Sequence, residues 1–369
     1  MIKRLEKELD EIRKEKRFRE LKVIDGNLIN LSSNDYIFVG SDIKIREDFY
    51  KEYGSLTLPL SSSSSRLISG TFKEIEELEL ELYKIYGKES LVFNSGFDAN
   101  SCFIETICSK DTLILTDRLN HASIYKGIID SKTRFVTYEH LNMGHLEKLL
   151  IKYSEKYEEI LVITETIYSM DGDYCNLKKL IELKKKYGFS IMIDEAHSYG
   201  VYGYGMVYGH KLLEEVEHIV IPLGKGGGSL GAYLLTDKIT KDYLINKGKK
   251  FIYTTALPPI NIAWNLFVLK NMNKFKDNIK RLHSLKYFTL KKMREKGIKT
   301  CSKTHIISIV IPEIEKLEKI VEEAKKKGFF IYPVKEPTVP KGTSRIRIGL
   351  NSSIEKSEIL NFLNIIKAD

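Results

Sequence analysis

The stretch HIVIPLGKGGGSLGAYLL, residues 218–235, carries the pattern that decides the fold. Two short apolar runs, HIVIPL and GAYLL, flank a glycine-rich turn that contains Lys225. Short, β-branched, apolar runs predict strands that are buried on both faces of a sheet. We therefore expect a lysine just after a buried strand, in a turn whose glycines let the backbone approach a ligand closely.

Similar runs recur on the amino-terminal side of this stretch, separated by helical patterns. Residues 73–86 and 177–187 have helical spacing of apolar residues. Alternating strands and crossover helices predict an α/β fold whose central sheet is mostly parallel. The further predicted strands are SLVFN (90–94), TLILT (112–116), ILVIT (160–164) and SIMID (190–194).

The two ends of the chain have their own patterns. Residues 1 to about 20 predict an amphipathic helix, and a long helical stretch follows YTTALPP (253–259) as far as about residue 296. The tail predicts strand 305–311, helix 313–327, strand 329–333, strand 345–349 and helix 353–366. We expect three parts: an arm (1–37), a large domain (38–272) and a small α+β domain (273–369).

The overall charge of the chain is positive, with a formal net charge of +9 over 369 residues. The lysines lie mostly in mixed-charge stretches such as EEAKKK at 322–327, which are typical of solvated helix faces. We therefore expect no nucleic-acid partner. A milder interpretation remains, in which basic character favours an anionic substrate or an acidic carrier.

Composition also bears on location and on metal binding. No run of about 18 apolar residues occurs, and the start lacks the apolar segment of a signal peptide. We expect a soluble, cytoplasmic protein without a membrane span. The four cysteines show no CxxC spacing, so we expect reduced thiols and no metal site.

Polar residues follow three of the predicted strands. Glu165 and Ser169 come after ILVIT, Asp194 and His197 end or follow SIMID, and Lys225 follows HIVIPL. Ligands bind at the carboxyl edge of open α/β sheets, so these side chains are expected to converge on one site.

Asp194 and Lys225 have chemistry that suits pyridoxal 5'-phosphate (PLP). A buried carboxylate needs a cationic partner, and a protonated pyridine nitrogen supplies one; an Asp that caps a helix is the alternative. A partly desolvated lysine can form a Schiff base with an aldehyde. A nucleotide-binding phosphate loop is rejected, because Ile219 stands where its first glycine belongs and Gly226 follows the lysine.

Two further segments are weaker candidates on their own. Ser95, Gly96 and Phe97 open a predicted helix, whose amides can bind a phosphate, although a turn that only caps a helix fits equally. His121 can stack on a flat cofactor or act as an acid, although a structural histidine is the alternative.

These segments together resemble the α-oxoamine synthases, PLP enzymes of fold type I that condense an amino acid with an acyl thioester and release carbon dioxide. The likeness runs from SSNDY (32–36) to RIRI (345–348). Between them lie SRLISG (65–70), NSGFDAN (94–100), NHASIYKGI (120–128), ETIYSMDGD (165–173), DEAHSYGVYG (194–203), LGKGGGSLGAYL (223–234) and FIYTTALPP (251–259). The resemblance implies an aminotransferase-like fold with a large, mostly parallel, seven-stranded sheet domain and a smaller α+β carboxy-terminal domain.

The resemblance also implies roles for individual residues. For the cofactor, they are Lys225 as Schiff-base lysine and proton shuttle, Asp194 at the pyridine nitrogen, His197 and Ser169 at the ring oxygen, His121 stacked on the ring, and Gly96 and Phe97 at the phosphate. For the substrates, they are Asn34 and Arg347 at the amino-acid carboxylate, and Arg19 and Thr338 at the acyl group. Thr254 matches a residue that reaches the phosphate of a partner subunit, which implies a homodimer with shared sites.

Within the family, residues 336–348 and 253–259 are most similar to the members that condense L-alanine with a pimeloyl thioester in biotin biosynthesis. The thioester is carried by coenzyme A or by acyl carrier protein. Lys225 would remove the α-proton of alanine, and the carbanion would attack the thioester. The alternatives are glycine or serine with another acyl group, or a PLP-fold protein without turnover.

Two departures from the family pattern concern the phosphate. Pro222 stands where the family usually has a threonine that donates to the phosphate, and proline offers no donor. Serines at 61–64 replace a glycine-rich stretch, and serine adopts positive φ less readily, although its hydroxyl can donate. We therefore expect cofactor affinity to depend on other donors.

Overall fold

The computed structural model describes residues 1–15, 17–54 and 58–367. The strands are β1 (Ile29–Asn30), β2 (Glu89–Phe93), β3 (Thr112–Asp117), β4 (Arg134–Tyr138), β5 (Glu159–Glu165), β6 (Ser190–Asp194), β7 (His218–Pro222), β8 (Ala232–Thr236), β9 (Ile306–Val310), β10 (Phe329–Phe330), β11 (Pro333–Val334) and β12 (Arg345–Gly349). The helices are α1 (Ile2–Lys14), α2 (Ile43–Tyr53), α3 (Lys73–Tyr86), α4 (Gly96–Ile107), α5 (Ala122–Ser131), α6 (Met143–Tyr153), α7 (Leu177–Tyr187), α8 (Met206–Gly209), α9 (Lys238–Lys247), α10 (Lys249–Ile252), α11 (Pro259–Asn271), α12 (Lys276–Glu295), α13 (Ile314–Lys326) and α14 (Lys356–Lys367), with a short 3₁₀ helix at Met272–Phe275.

The chain forms two compact units. The larger comprises residues 34–169 and 173–283, and the smaller comprises residues 1–33, 170–172 and 284–369. The predicted arm, large domain and small domain, with boundaries at 37 and 272, stay a prediction. No helix in the described ranges combines the length and the apolar character needed to cross a bilayer.

The larger unit is built on a seven-stranded sheet with strand order β2-β8-β7-β6-β5-β3-β4. β8 runs antiparallel to both of its neighbours, and the other adjacent strands pair in parallel. The prediction of a large, mostly parallel sheet is therefore confirmed. Because β5, β6 and β7 are adjacent and parallel, their carboxyl ends lie at one edge.

The apolar runs predict the central strands closely, and one edge strand departs from that pattern. β3, β5, β6 and β7 follow the predicted segments, with buried side chains along nearly their whole length. β4 was not predicted, because at the sheet edge it exposes Arg134, Phe135 and Thr137 and so lacks a continuous apolar run.

Helix α4 packs against this sheet and forms the centre of a hydrophobic cluster. Phe103 and Ile104 on α4 are fully buried among side chains of β3, β5 and β8, such as Ile114, Ile163 and Leu234. Burial of each such side chain stabilises the fold by about 1.5–3 kcal/mol. The packed cluster holds the amino terminus of α4 beside the sheet edge where Lys225 follows β7.

Two predicted helices are confirmed, and each is followed by a glycine C-cap. α3 ends at Gly87 and α7 ends at Gly188, both with positive φ of 66°, as the sequence indicates. The amino-terminal helix is shorter than predicted: α1 ends at Lys14, and residues 17–20 are not helical.

The smaller unit contains a three-stranded antiparallel sheet, β11-β12-β9, and the parallel pair β1–β10. The predicted strand 329–333 is wrong as a single element. It is two short strands, because β10 pairs with β1 whereas β11 pairs with β12. Helices α13 and α14 follow the predicted positions, with α14 starting at Lys356 rather than at 353.

Candidate active site

Adjacent strand ends bring charged residues together in the larger unit. Glu165, the last residue of β5, is the register partner of Asp194, the last residue of β6. The charges of Asp194 and Lys225 act on Glu165 and also on His121. These four residues therefore share one electrostatic environment at the carboxyl edge of the sheet, and their individual roles stay predictions.

Asp194 is 3% exposed and is held through both carboxylate oxygens. Oδ1 accepts the backbone N–H of Ala196 at 2.8 Å, and Oδ2 accepts the side-chain amide of Asn100 at 2.7 Å. The next helix, α8, begins only at Met206. Asp194 therefore closes a local turn and does not cap a following helix, which leaves its charge available to a ligand.

His121 caps the amino terminus of α5 through its ring. Nδ1 accepts the backbone N–H of Ser123 at 3.2 Å and lies 2.8 Å from the Ser123 hydroxyl. The backbone N–H of His121 donates to Glu165 Oε1 at 2.6 Å. Desolvation and the nearby Lys225 lower the pKa of His121, against an opposing effect of Asp194. The ring is therefore neutral and rigidly placed.

Glu165 is the second buried carboxylate of the site. Glu165 is 3% exposed. Burial and the charge of Asp194 raise the pKa of Glu165 well above its usual range, although Lys225 has an opposing effect. Two adjacent buried carboxylates do not both ionise readily. Two neutral N–H groups bind the carboxylate of Asp194.

His197 is bound to a tyrosine that sequence reasoning did not assign. The Tyr36 hydroxyl lies 2.6 Å from His197 Nδ1 and donates to Asn34 Oδ1 at 2.9 Å. Both Tyr36 and His197 are buried. Two predicted site residues, His197 and Asn34, are thus connected through Tyr36. The SSNDY motif contained this tyrosine, but its contact partner is 161 residues away and has no local sequence signal.

The Lys225 loop is held by backbone packing and by polar groups of α11. A Cβ on Gly226 would lie 2.1 Å from the Tyr199 carbonyl oxygen, so this position requires glycine. The indole N–H of Trp264 donates to the Gly228 carbonyl at 3.0 Å, and Asn265 donates to Leu230. The next element after the loop is β8 rather than a helix, which agrees with the rejection of a nucleotide-binding loop.

The candidate phosphate site lies at the start of α4. Ser95 is the N-cap, accepting the Asp98 N–H at 3.0 Å and donating to the Asp98 carboxylate at 2.7 Å. The amides of Gly96 and Phe97 belong to the first turn, where helices have no intrahelical acceptor for them. A Cβ on Gly96 would lie 2.5 Å from Pro222 Cγ, so the proline ring covers this glycine.

Hydroxyls of the serine run make hydrogen bonds to backbone groups of the larger unit. The Ser62 hydroxyl donates to the Ala256 carbonyl at 2.7 Å, and Ser61 Oγ accepts the Ser63 N–H at 3.0 Å. Ser63 adopts a φ of 55°, the left-handed conformation that favours glycine. These hydroxyls stabilise the loop itself, and Thr254 nearby accepts the Asn94 side-chain amide at 3.2 Å.

The smaller unit contains the remaining substrate residues. Arg19 donates to Thr338 Oγ1 at 2.9 Å, which brings together the two residues expected at the acyl group. Arg347 lies on β12 and is 9% exposed. Its expected partner in the carboxylate clamp, Asn34, belongs to the larger unit. The clamp stays a prediction.

The groups of the larger unit fit PLP at three points. Lys225 offers an amine to the aldehyde, Asp194 an anionic oxygen to the ring nitrogen, and Gly96 and Phe97 their amides to the phosphate. Position 96 requires glycine because the Pro222 ring occupies the space of a Cβ, and the amides of the first turn of α4 have no intrahelical acceptor.

Comparison with known proteins agrees with this arrangement. The family described as aminotransferase class I and II matches residues 26–366. An 8-amino-7-oxononanoate synthase of Chlorobaculum parvum is 35% identical over 340 residues, which cover 90% of this chain and 87% of that protein. A relative from Glaesserella parasuis, which carries the same name provisionally, is 36% identical.

Solved structures are similar over nearly the whole chain. The 8-amino-7-oxononanoate synthase of Francisella tularensis has a TM-score of 0.77 at 26% identity and covers 93% of this chain and 98% of that chain. A serine palmitoyltransferase from S. paucimobilis, solved with PLP, has a TM-score of 0.86 and covers 99% and 96%. At 22% identity, the second likeness shows the fold alone.

Proposed function

The chain belongs to the aminotransferase class I and II family, and we propose that within it the enzyme condenses L-alanine with a pimeloyl thioester to form 8-amino-7-oxononanoate. The chain is a PLP-dependent α-oxoamine synthase, which is an acyltransferase. We therefore do not propose the alternative of a PLP-fold protein without turnover. The shared environment of Lys225, Asp194 and His121 carries the proposal. The names of the Chlorobaculum parvum and Francisella tularensis relatives support the substrate pair.

The residues of the site suit this reaction in distinct ways. PLP, when bound, supplies an electron sink for negative charge at the amino-acid α-carbon. Lys225, once its amine is free, removes the α-proton and later returns one. Asp194 would keep the ring nitrogen protonated, and His121 would contact the ring as a neutral imidazole. Carbon–carbon bond formation releases the thiol, and the alanine carboxylate leaves as carbon dioxide.

The thioester carrier is anionic whether it is coenzyme A or acyl carrier protein. The net charge of +9 favours encounter with either. Arg19 and Thr338, joined by a hydrogen bond, are proposed to contact the acyl part. A homodimer with shared sites is part of the proposal. Tyr253 next to Thr254 is 82% exposed and Leu230 is 55% exposed, as suits residues that meet a partner subunit.

A second candidate is the condensation of serine with a longer acyl thioester. A serine palmitoyltransferase shares the fold over 99% of this chain, so the fold is compatible with this candidate. The two candidates differ in the amino acid that the carboxylate clamp accepts and in the length of the acyl chain.

An absorbance titration tests the function. Purified protein with PLP is expected to show a band near the visible edge, which L-alanine changes more than glycine or L-serine does. With L-alanine and pimeloyl-CoA, mass spectrometry is expected to show 8-amino-7-oxononanoate. Lys225→Ala is expected to lose the band and the product, whereas Lys247→Ala, at an exposed lysine, keeps both. A change specific to serine would replace the proposed substrate pair by the second candidate.

A further inference from the structure

We propose that Asn100 is a positioning residue that fixes both the carboxylate of Asp194 and the hydroxyl of Ser123 that faces the ring of His121. Asn100 lies near the start of α4 and is 1% exposed. Its amide nitrogen donates to Asp194 Oδ2 at 2.7 Å and to Ser123 Oγ at 3.0 Å. One side chain thus connects the end of β6 with the start of α5.

The orientation of this amide is determined by Asp194. Both N–H groups of Asn100 are donated, whereas its Oδ1 is buried without a hydrogen-bond partner among the described residues. The reverse orientation would place Oδ1 against the Asp194 carboxylate, and two acceptors cannot bond each other. The carboxylate therefore selects the amide orientation, and the amide in turn presents a donor to Ser123.

The next hydrogen bond leads from Ser123 to His121. The backbone N–H of Ser123 donates to His121 Nδ1 at 3.2 Å, so Nδ1 is an acceptor and the proton of the neutral ring lies on Nε2. Ser123 Oγ accepts from Asn100 and lies 2.8 Å from the same nitrogen, to which its proton is therefore directed. Asn100 thus donates in two directions, to Asp194 and, through the Ser123 hydroxyl, towards His121.

The same contact orients the carboxylate itself. Asn100 binds Oδ2 while the Ala196 N–H binds Oδ1, so Asp194 cannot rotate without losing both bonds. Neither donor is charged, and the ionised carboxylate keeps lone pairs for another donor. This inference rests on the proposed function, in which the pyridine nitrogen of PLP is the further donor to Asp194.

The tautomer can be measured directly in the protein without cofactor. ¹⁵N NMR of histidine-labelled protein distinguishes protonated from unprotonated ring nitrogens, and loss of one signal set in His121→Asn assigns His121. We expect the wild type to show the proton on Nε2. In Asn100→Leu and in Ser123→Ala, we expect the proton to stay on Nε2, because the Ser123 N–H still donates to Nδ1. We expect the ¹⁵N signal of Nδ1 to move towards that of a nitrogen with a weaker hydrogen bond, because the hydroxyl donor is no longer directed or is lost.

PLP affinity distinguishes the contact of Asn100 with Asp194 from the contact of Ser123 with His121. Asn100→Leu removes the donor to Asp194 and is expected to raise the PLP dissociation constant about 10- to 100-fold, as loss of a hydrogen bond to a charged group does. Ser123→Ala keeps the Asn100–Asp194 bond and is expected to leave that constant within about 3-fold, because a neutral contact remote from the ring nitrogen is lost. Phe103→Leu, a packing change on the same helix, is the control and should change neither reading.

Several results would overturn the proposal. One is an unchanged His121 spectrum in both variants, and another is the same loss of PLP affinity in Phe103→Leu. If Asn100→Leu does not fold, the His121 spectrum of Ser123→Ala decides the question alone. If the proposed PLP site itself were wrong, the result would differ, because the wild type would then bind no PLP.

Discussion

The two ends of the cofactor site are built in contrasting ways. The ring end, defined as Asp194, Asn100, Ser123 and His121, is a connected set of polar side chains. The phosphate end, defined as Ser95, Gly96, Phe97, Pro222 and Thr254, consists of a helix start and a proline ring packed on a glycine. In the proposed site, the ring end would determine cofactor chemistry through fixed side chains, whereas the phosphate end would rely on backbone amides.

This difference follows from what each end must do. The ring nitrogen presents a single donor in a fixed direction, and a carboxylate held by two hydrogen bonds matches it. A phosphate presents several oxygens, which the backbone amides at a helix start can bind from any residue type. We therefore expect ring-end substitutions to affect catalysis, with Asn100→Leu also weakening PLP binding, and phosphate-end substitutions to affect cofactor affinity without changing kcat at saturating PLP.

Asp194→Asn should have the largest effect. It removes the charge that keeps the ring nitrogen protonated but nearly preserves the shape of the side chain. Because a preorganised charge in a site stabilises the transition state strongly, we expect its loss to lower kcat at least about 100-fold. Steady-state kinetics at saturating PLP measure this, with the exposed-surface variant Asp277→Asn as control. A change in KM alone would contradict the assigned role.

Gly96→Ala should damage the phosphate end by a steric route. The added methyl would lie 2.5 Å from Pro222 Cγ and 2.7 Å from its Cβ. Overpacking of this kind costs about 1–3 kcal/mol, and we expect weaker PLP binding together with a lower free energy of unfolding. Urea denaturation and PLP titration measure the two quantities. Pro222→Gly removes both ring atoms that the methyl would meet, so the double variant Gly96→Ala with Pro222→Gly should show little further loss relative to Pro222→Gly alone. An undiminished loss in that background would exclude the clash as the cause.

A titratable histidine outside both ends lies next to the loop that carries Ser169. His140 lies between Asp117 at 2.9 Å and Asp173 at 3.0 Å. Burial alone would lower the pKa of His140, but hydrogen bonds to both aspartates outweigh this effect and raise it to about 9. In the unfolded chain, a histidine has a pKa of about 6.5.

His140→Gln should therefore destabilise the protein most at low pH. A raised pKa in the folded state contributes stability that is complete below about pH 6.5 and disappears as the pH rises through about 9. We expect a difference in unfolding free energy of up to about 3 kcal/mol near pH 6, and much less near pH 10. His145→Gln, at a more exposed histidine, is the control. A difference that does not depend on pH would contradict the ion-pair assignment.

The sequence predicted the parts of the site that follow a strand, and it missed those that depend on contacts between distant segments. Asp194 and Lys225 were found because apolar runs mark the sheet and the carboxyl edge collects functional groups. Asn100 lay inside the NSGFDAN motif, but its role depends on Asp194, 94 residues further along. A polar residue on an otherwise buried helix face was the available signal.

The same physical reason separates correct from missed elements of the fold. Central strands such as β5 and β6 are buried on both faces, so their sequences alone identify them. The edge strand β4 is half exposed and depends on pairing with β3. The serines at 61–64 have hydroxyls that can donate. Whether such a hydroxyl faces a ligand or its own loop is decided by backbone geometry, which composition does not encode.

Pro222→Thr should have the smallest effect and is the sharpest test of the contrast between the two ends. The proline ring covers Gly96 beside the amides that would bind the phosphate, and a threonine there would add a hydroxyl donor. One net hydrogen bond is worth about 0.5–1.5 kcal/mol, so we expect PLP to bind about 2- to 10-fold more tightly. Pro222→Val, which has the shape of threonine without the hydroxyl, is the matched control. Because the ring end is unchanged, kcat at saturating PLP should stay the same in both variants. If kcat changed in Pro222→Thr but not in Pro222→Val, the two ends would be coupled, and the division of roles between side chains and backbone would not hold.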